Sequence, residues 1–156
     1  DGYRLLTEAE WVWVARYGRY ASSPRFSWGD TMPVPEAAGN FADEAATGQV
    51  DVYIPRYMDN YAKLAPIGSF DANLNGLYDI GGNAREWVQD VYELLPLLAP
   101  TNEKDRLGPA RGSNHVVRGS GWRTASMSDL RLTARWQASE GADDIGFRVG
   151  RWLGGD

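Results

Sequence analysis

Cysteine is absent from this 156-residue chain. That excludes disulfides, thiolate metal sites and a cysteine nucleophile together. It leaves the compartment open, because a cysteine-free chain persists in either redox environment. Histidine is nearly absent: His115 is the single imidazole. A Ser-His-Asp triad would have only that one base, and a histidine-rich zinc or non-haem iron site has no second ligand. Long apolar runs are missing too. The longest, Leu94-Leu95-Pro96-Leu97-Leu98-Ala99-Pro100, is broken by prolines and falls well short of the ~20 residues of a membrane-spanning helix. Positive charge is in deficit, 16 Lys and Arg against 21 Asp and Glu, which argues against nucleic acid as the main partner. The chain opens on Asp1. That start reads as processed or as part of something larger, and a leader is not legible from it.

What is present is an apolar fraction of 43%, enough for one domain, residues 1–156, with a real core. Seven tryptophans, eight tyrosines, 18 glycines and 8 prolines predict an irregular, loop-rich fold held by aromatic packing. Thr7 and Glu10 form a capping box, with Leu6 and Trp11 as the hydrophobic staple. They predict a helix over residues 8–17, stopped by Gly18, with Trp11, Val14 and Ala15 facing the core. Further on, Val52-Tyr53-Ile54 reads as strand-like, Trp87 to Tyr92 as a strand or a helical turn, with the strand preferred, and residues 99–113 as a surface excursion. Val116-Val117-Arg118 reads as a short strand, Met127 to Trp136 carries mixed signals, and Ile145 to Trp152 alternates like a strand with Ile145, Phe147 and Val149 on one side. No internal repeat is visible.

The stretch that organises the rest is Gly76-Leu77-Tyr78-Asp79-Ile80-Gly81-Gly82-Asn83-Ala84-Arg85-Glu86-Trp87. Its glycines permit backbone angles that other residues avoid. Asp79 and Glu86 bracket the Gly-Gly-Asn turn, a mixture of carboxylates and carbonyls that suits a hard cation such as calcium. A tight turn flanked by two solvated acids would read the same way.

Four ordered segments resemble one family: Arg4 to Trp11, Phe26-Ser27-Trp28-Gly29-Asp30, the stretch through Trp87, and Val117-Arg118-Gly119-Ser120-Gly121-Trp122 together with Gly146-Phe147-Arg148. The family is that of the formylglycine-generating enzymes, or sulfatase-modifying factors, and the likeness is to the C-terminal part of its domain, without the usual N-terminal portion. The resemblance implies an irregular α+β fold of low regular secondary structure, related to C-type lectins. It also implies up to two structural calcium ions. One would be held by Asp79, Glu86 and the carbonyls of Gly82 and Ala84, the other by the side chains of Asn40 and Asp59 and the carbonyls of Phe41 and Tyr61. Calcium sites favour an extracytoplasmic location, periplasmic or secreted.

The family's activity, oxidation of a sulfatase cysteine with copper held by two cysteines, does not carry over. The resemblance places Thr124 at the first cysteine position and Asp129 near the second. Gly121 replaces the motif serine, beside Ser120, and Arg85 replaces the usual aromatic. Copper(I) needs soft ligands, so no copper is expected. Two functional readings remain. In the first, a non-catalytic, calcium-stabilised domain binds a protein or small molecule on the former active-site surface, lined by Trp122, Arg123, Thr124, Ser126, Asp129 and Arg135. Arg135 reads equally well as the partner of a buried acid. In the second, a cysteine-independent tailoring enzyme of oxidoreductase type uses the same fold, with Asp129 or Glu140 as acid or base. His115, lacking a partner, reads first as an ordinary loop histidine. Other domains of a longer chain, or a missing N-terminal segment, are further expected partners.

Overall fold

The computed structural model describes residues 2–17, 24–94 and 108–152. The capping box forms as the sequence predicts: Thr7 Oγ1 accepts from the Glu10 N–H, and Glu10 accepts from the Thr7 N–H at 2.8 Å. Strand β1 (Arg4–Leu5) enters helix α1 (Glu8–Val12), which continues as a π-helical turn over Trp13–Tyr17. The helix therefore covers the expected span, but its second half is widened. The side-chain amides of Asn73 and Asn75 insert there and donate to the Val14 carbonyl, an insertion of the kind that disturbs the regular ladder. The expected stop at Gly18 lies outside the described residues.

Arg4 forks onto the Glu10 carboxylate at 2.6 and 2.7 Å. That pairing, with help from the Thr7 N–H, holds the Glu10 carboxyl down at about 2. A depressed acid stabilises the fold above its unfolded value of ~4.3, and the contribution is lost as pH falls toward the folded value. Both side chains remain about one-third exposed, so solvent screening limits the effect. Glu10→Gln is expected to cost about 1 kcal/mol at pH 7. Urea melts of the two proteins should converge as the pH is lowered from 5 to 2.

The central sheet runs in the order β4 (Arg135–Ala138), β3 (His115–Arg118), β2 (Arg85–Val91), β5 (Ile145–Phe147). β3 lies antiparallel to both β2 and β4, whereas β5 runs parallel to β2. On β2 the buried positions are Glu86, Val88 and Asp90, two carboxylates around one apolar side chain. Buried acids need partners. Asp90 accepts the Glu8 N–H at 2.6 Å, and burial pushes its carboxyl upward. Glu8 in turn takes Arg135 at 2.7 Å. The helix and the sheet are thus tied by charge as well as by apolar contact.

Two apolar clusters fill the interior. Trp11, Ala15, Ile80, Val88, Val116 and Leu132 pack between helix and sheet. Phe26, Val34, Ala38, Phe41, Ile54, Tyr57 and Leu130 pack beneath the loops. Trp28 stacks on Phe26, ring centroids 4.7 Å apart, and meets Phe41 edge-on. The aromatic content serves loop packing, as the composition suggests. Among the described residues no helix is long and apolar enough to cross a membrane.

Three sequence expectations are corrected. Val52, Tyr53 and Ile54 join no strand; Ile54 is bonded to the Ala42 carbonyl from a loop instead. The run from Ile145 is interrupted at Arg148, leaving β5 and a separate β6 (Val149–Gly150) paired antiparallel with β1. Phe147 and Val149 are exposed there, while Arg148 between them turns its guanidinium inward to Glu86. The third concerns Trp122 and Arg135 as lining residues of a ligand surface, described below. The Leu94–Pro100 run and the 99–113 excursion lie mostly outside the described residues.

Candidate functional site

The Gly76–Trp87 stretch wraps into β2 through positive-φ residues that include Asp79 at φ 55°, Gly82 at φ 114° and Asn83 at φ 64°. Asx side chains and glycine tolerate that region. At Gly82 there is no room for more: an added Cβ would lie 3.0 Å from the Asn40 nitrogen and 3.1 Å from the Phe41 ring. The turn and the Asn40–Phe41 segment are therefore in direct contact.

Glu86 is 7% exposed. Its Oε2 accepts from Trp11 Nε1 and Arg148 Nε, both at 2.7 Å, and its Oε1 accepts from Arg148 Nη2 at 2.5 Å. One lone-pair direction of Oε1 is left over. Asp79 Oδ2 accepts the Gly68 N–H at 2.8 Å, while its buried Oδ1 has no hydrogen-bond partner.

The second set is more deeply enclosed. Asn40 is 0% exposed; its Nδ2 donates to the Lys63 carbonyl and to Asn83 Oδ1, and its Oδ1 has no hydrogen-bond partner. Asp59 accepts the N–H groups of Phe41 and Tyr61, each at 2.9 Å. Burial, with Asp43 nearby adding repulsion, pushes the Asp59 carboxyl up to about 6. Asp43 is fully buried and accepts from the Asp59, Ala45 and Ala46 N–H groups. Among the described residues no three Asp, Glu, His or Cys side chains gather as a metal cluster. Any cation at either place would therefore rely on amide and carbonyl oxygens as well as carboxylates. Those are the donors calcium accepts, and the two orphaned oxygens, Asn40 Oδ1 and Asp79 Oδ1, fit such a role. Buried polar oxygens rarely go without a partner.

The six residues expected to line a ligand surface divide. Trp122 is 0% exposed and donates its indole N–H to the Asp143 carbonyl. It is a buried support rather than a lining residue, because Arg123 covers it at 4.1 Å. Arg135 is also removed from that face: it pairs with Glu8 and the Glu93 carbonyl on the far strand. Arg123, Ser126 and Asp129, by contrast, share a polar depression of about 460 Å³ with Gln49, Asp51 and Val52. Thr124 lies beside it with its hydroxyl tied to the Gly121 N–H at 3.1 Å. Ser126, Ser128 and Asp129 form a hydrogen-bond chain, 2.7 then 3.0 Å. Across Ala125 lies an apolar cavity of about 520 Å³ lined by Met32, Val34, Ile54, Tyr57 and Met127.

His115 sits on β3 with Nδ1 3.3 Å from the Gln89 carbonyl and its ring edge-on to Trp87. Glu140 is exposed. The two departures noted in the sequence lie back to back. A Cβ at Gly121 would press within 3.2 Å of the Arg85 nitrogen and the Asn83 oxygen, and Arg85 pairs with Asp144 at 2.7 Å. Sequence reading missed the roles of Arg148, Asn83 and Asp43. The only available signals were the Gly-Phe-Arg segment, the turn asparagine and an acid three residues after Asn40.

Short strands around buried carboxylates, linked by long glycine-kinked loops, define a formylglycine-generating-enzyme-like fold. A family profile described as sulfatase-modifying factor enzyme 1-like domain matches residues 2–152. The chain belongs to that family. It is 31% identical over 151 residues to a formylglycine-generating enzyme of Streptomyces coelicolor, covering 94% of this chain and 46% of that protein. It is 31% identical over 153 residues to the serine/threonine-protein kinase Pkn1 of Chlamydia trachomatis, covering 96% of this chain but 21% of the kinase. The structure of PvdO from Pseudomonas aeruginosa superposes with a TM-score of 0.68 at 30% identity, over 97% of this chain and 53% of PvdO. The chain thus spans about half, or less, of the length of these relatives.

Proposed function

We propose that the domain is a calcium-stabilised, non-catalytic member of its family that binds a small molecule or a protein partner at the Arg123–Asp129 face. The observation that carries this reading is the chemistry at the two positions the resemblance assigns to copper-binding cysteines. Thr124 offers a hydroxyl already engaged by Gly121, and Asp129 offers a hard carboxylate; neither is a ligand for copper(I). The two polar and apolar depressions on either side of Ala125 offer a ligand surface without a redox centre. The carboxylates that burial raises, Asp59 and Asp90, lie elsewhere. Calcium supplies structural charge compensation when bound. Asn40, Asp59 and the Phe41 and Tyr61 carbonyls would hold one ion, and Asp79, Glu86 and the Gly82 and Ala84 carbonyls another. An extracytoplasmic setting and attachment to further domains belong to the same reading.

Two measurements test it. Incubation with copper(I), oxygen and a cysteine peptide of the sulfatase type should yield no aldehyde by mass spectrometry, and appearance of formylglycine would sink the proposal. Calcium at about a hundred times its Kd should stabilise the fold by ~2.7 kcal/mol, read as a rise of several degrees in Tm over the chelated protein. A second reading, the cysteine-independent tailoring enzyme, draws on the Ser126–Ser128–Asp129 chain, which would poise a proton acceptor in the polar depression. It requires a turnover that Asp129→Asn abolishes.

A further inference from the structure

We infer that Asn83 couples the two cation sites, so that calcium at Asn40–Asp59 strengthens binding at Asp79–Glu86 and the reverse. The inference rests on the calcium reading above. Asn83 is 6% exposed and joins both loops. Its N–H donates to the Asn40 carbonyl at 2.8 Å. Its Oδ1 accepts from Asn40 Nδ2 at 3.1 Å and from the Ala65 N–H at 2.9 Å, and its Nδ2 donates back to the Ala65 carbonyl at 3.2 Å.

Two consequences follow. First, Asn83 sets which way the Asn40 amide faces. With Nδ2 drawn to Asn83 and Lys63, Oδ1 is left as the unpartnered oxygen for a cation. Second, Asn83 stands between Gly82 and Ala84, whose carbonyls belong to the other site, and its own left-handed backbone shapes that turn. Ordering the turn around one ion therefore orders the Asn40 amide for the other, and the close approach of Gly82 to Asn40 leaves little slack between them. The sites are unequal. Arg148 already shares the Glu86 carboxylate, so Asp79–Glu86 is the weaker one and fills second. Coupling between two equilibrium sites is reciprocal, and it falls within roughly 5- to 150-fold in ordinary cases.

The test is a calorimetric titration of the whole chain with calcium chloride. The wild type should bind two ions. Asp59→Asn, which disables the site that fills first, should lose one equivalent and bind the remaining ion at Asp79–Glu86 about tenfold more weakly, or worse, than the wild type binds its second ion. In an Asn83→Gly background, adding Asp59→Asn should leave that remaining affinity unchanged. If the single Asp59→Asn variant binds its remaining ion within about twofold of the wild type's second ion, the coupling is wrong while calcium binding stands. If the wild type takes up no calcium, both fall together. Should Asn83→Gly fail to fold, the comparison of wild type with Asp59→Asn alone still decides the coupling.

Discussion

Trp11→Ala is expected to be among the most damaging single substitutions in this chain, costing about 3–5 kcal/mol and leaving little of the ordinary stability of a domain this size. The indole is fully buried between helix and sheet. Its N–H donates to Glu86, the Arg118 guanidinium lies 5.3 Å from its ring centre, and a Cβ at Gly119 would already approach the ring at 3.3 Å. Alanine would open a cavity and remove one of the donors that make a buried carboxylate tolerable. Trp11→Phe separates the two effects. It fills much of the space but loses the charged hydrogen bond, and should cost about 1.5–3 kcal/mol. Urea unfolding followed by circular dichroism measures both. A loss below 1 kcal/mol for the alanine variant would mean that Glu86 and the core do not depend on this ring.

Arg148→Met should be nearly as costly, about 3 kcal/mol, because Glu86 stays buried after losing its bidentate partner. The guanidinium is 22% exposed and the carboxylate 9%, so little water can take its place. Here the metal provides a second readout. With Arg148 gone, Glu86 Oε1 loses its donor while Oε2 keeps Trp11, and on the calcium reading the metal should restore more stability to the variant than it adds to the wild type. Thermal melts with calcium and with chelator give the four values needed. Equal increments in the two proteins would overturn the proposal that Glu86 is a calcium ligand.

Much of the fold was legible because local chemistry wrote it. The Thr7–Glu10 box starts the helix wherever the chain is placed, and Trp11 and Ala15 face the core at helical spacing as expected. Strands β2 and β3 coincide with their apolar runs. The expected strand from Ile145 is split at Arg148, and its alternating side faces solvent at Phe147 and Val149 because the residue turned inward is Arg148, paired with Glu86. Val52 to Ile54 failed because three apolar residues without a neighbouring strand edge gain no ladder. In the candidate site, the proposed cation ligands were named from motif resemblance, whereas nothing local distinguished Trp122 as a support from Arg123 as a lining residue.

The sequence by itself determined what this protein lacks and where its irregularity lies. With no thiol and one imidazole, soft-metal chemistry of the cysteine type is closed to this chain, and the glycine turn around Asn83 is visible from the order of residues alone. Only the tertiary structure decided how the buried charges are matched. Glu86 meets Arg148 from 62 residues away and Asn40 meets Asn83 from 43 away. Such pairings depend on which loops pack against each other, and no periodicity or cap in a linear chain encodes that. The stretch from Gly76 to Trp87 announces a hub, but it is the packing around it that assigns each carboxylate its partner.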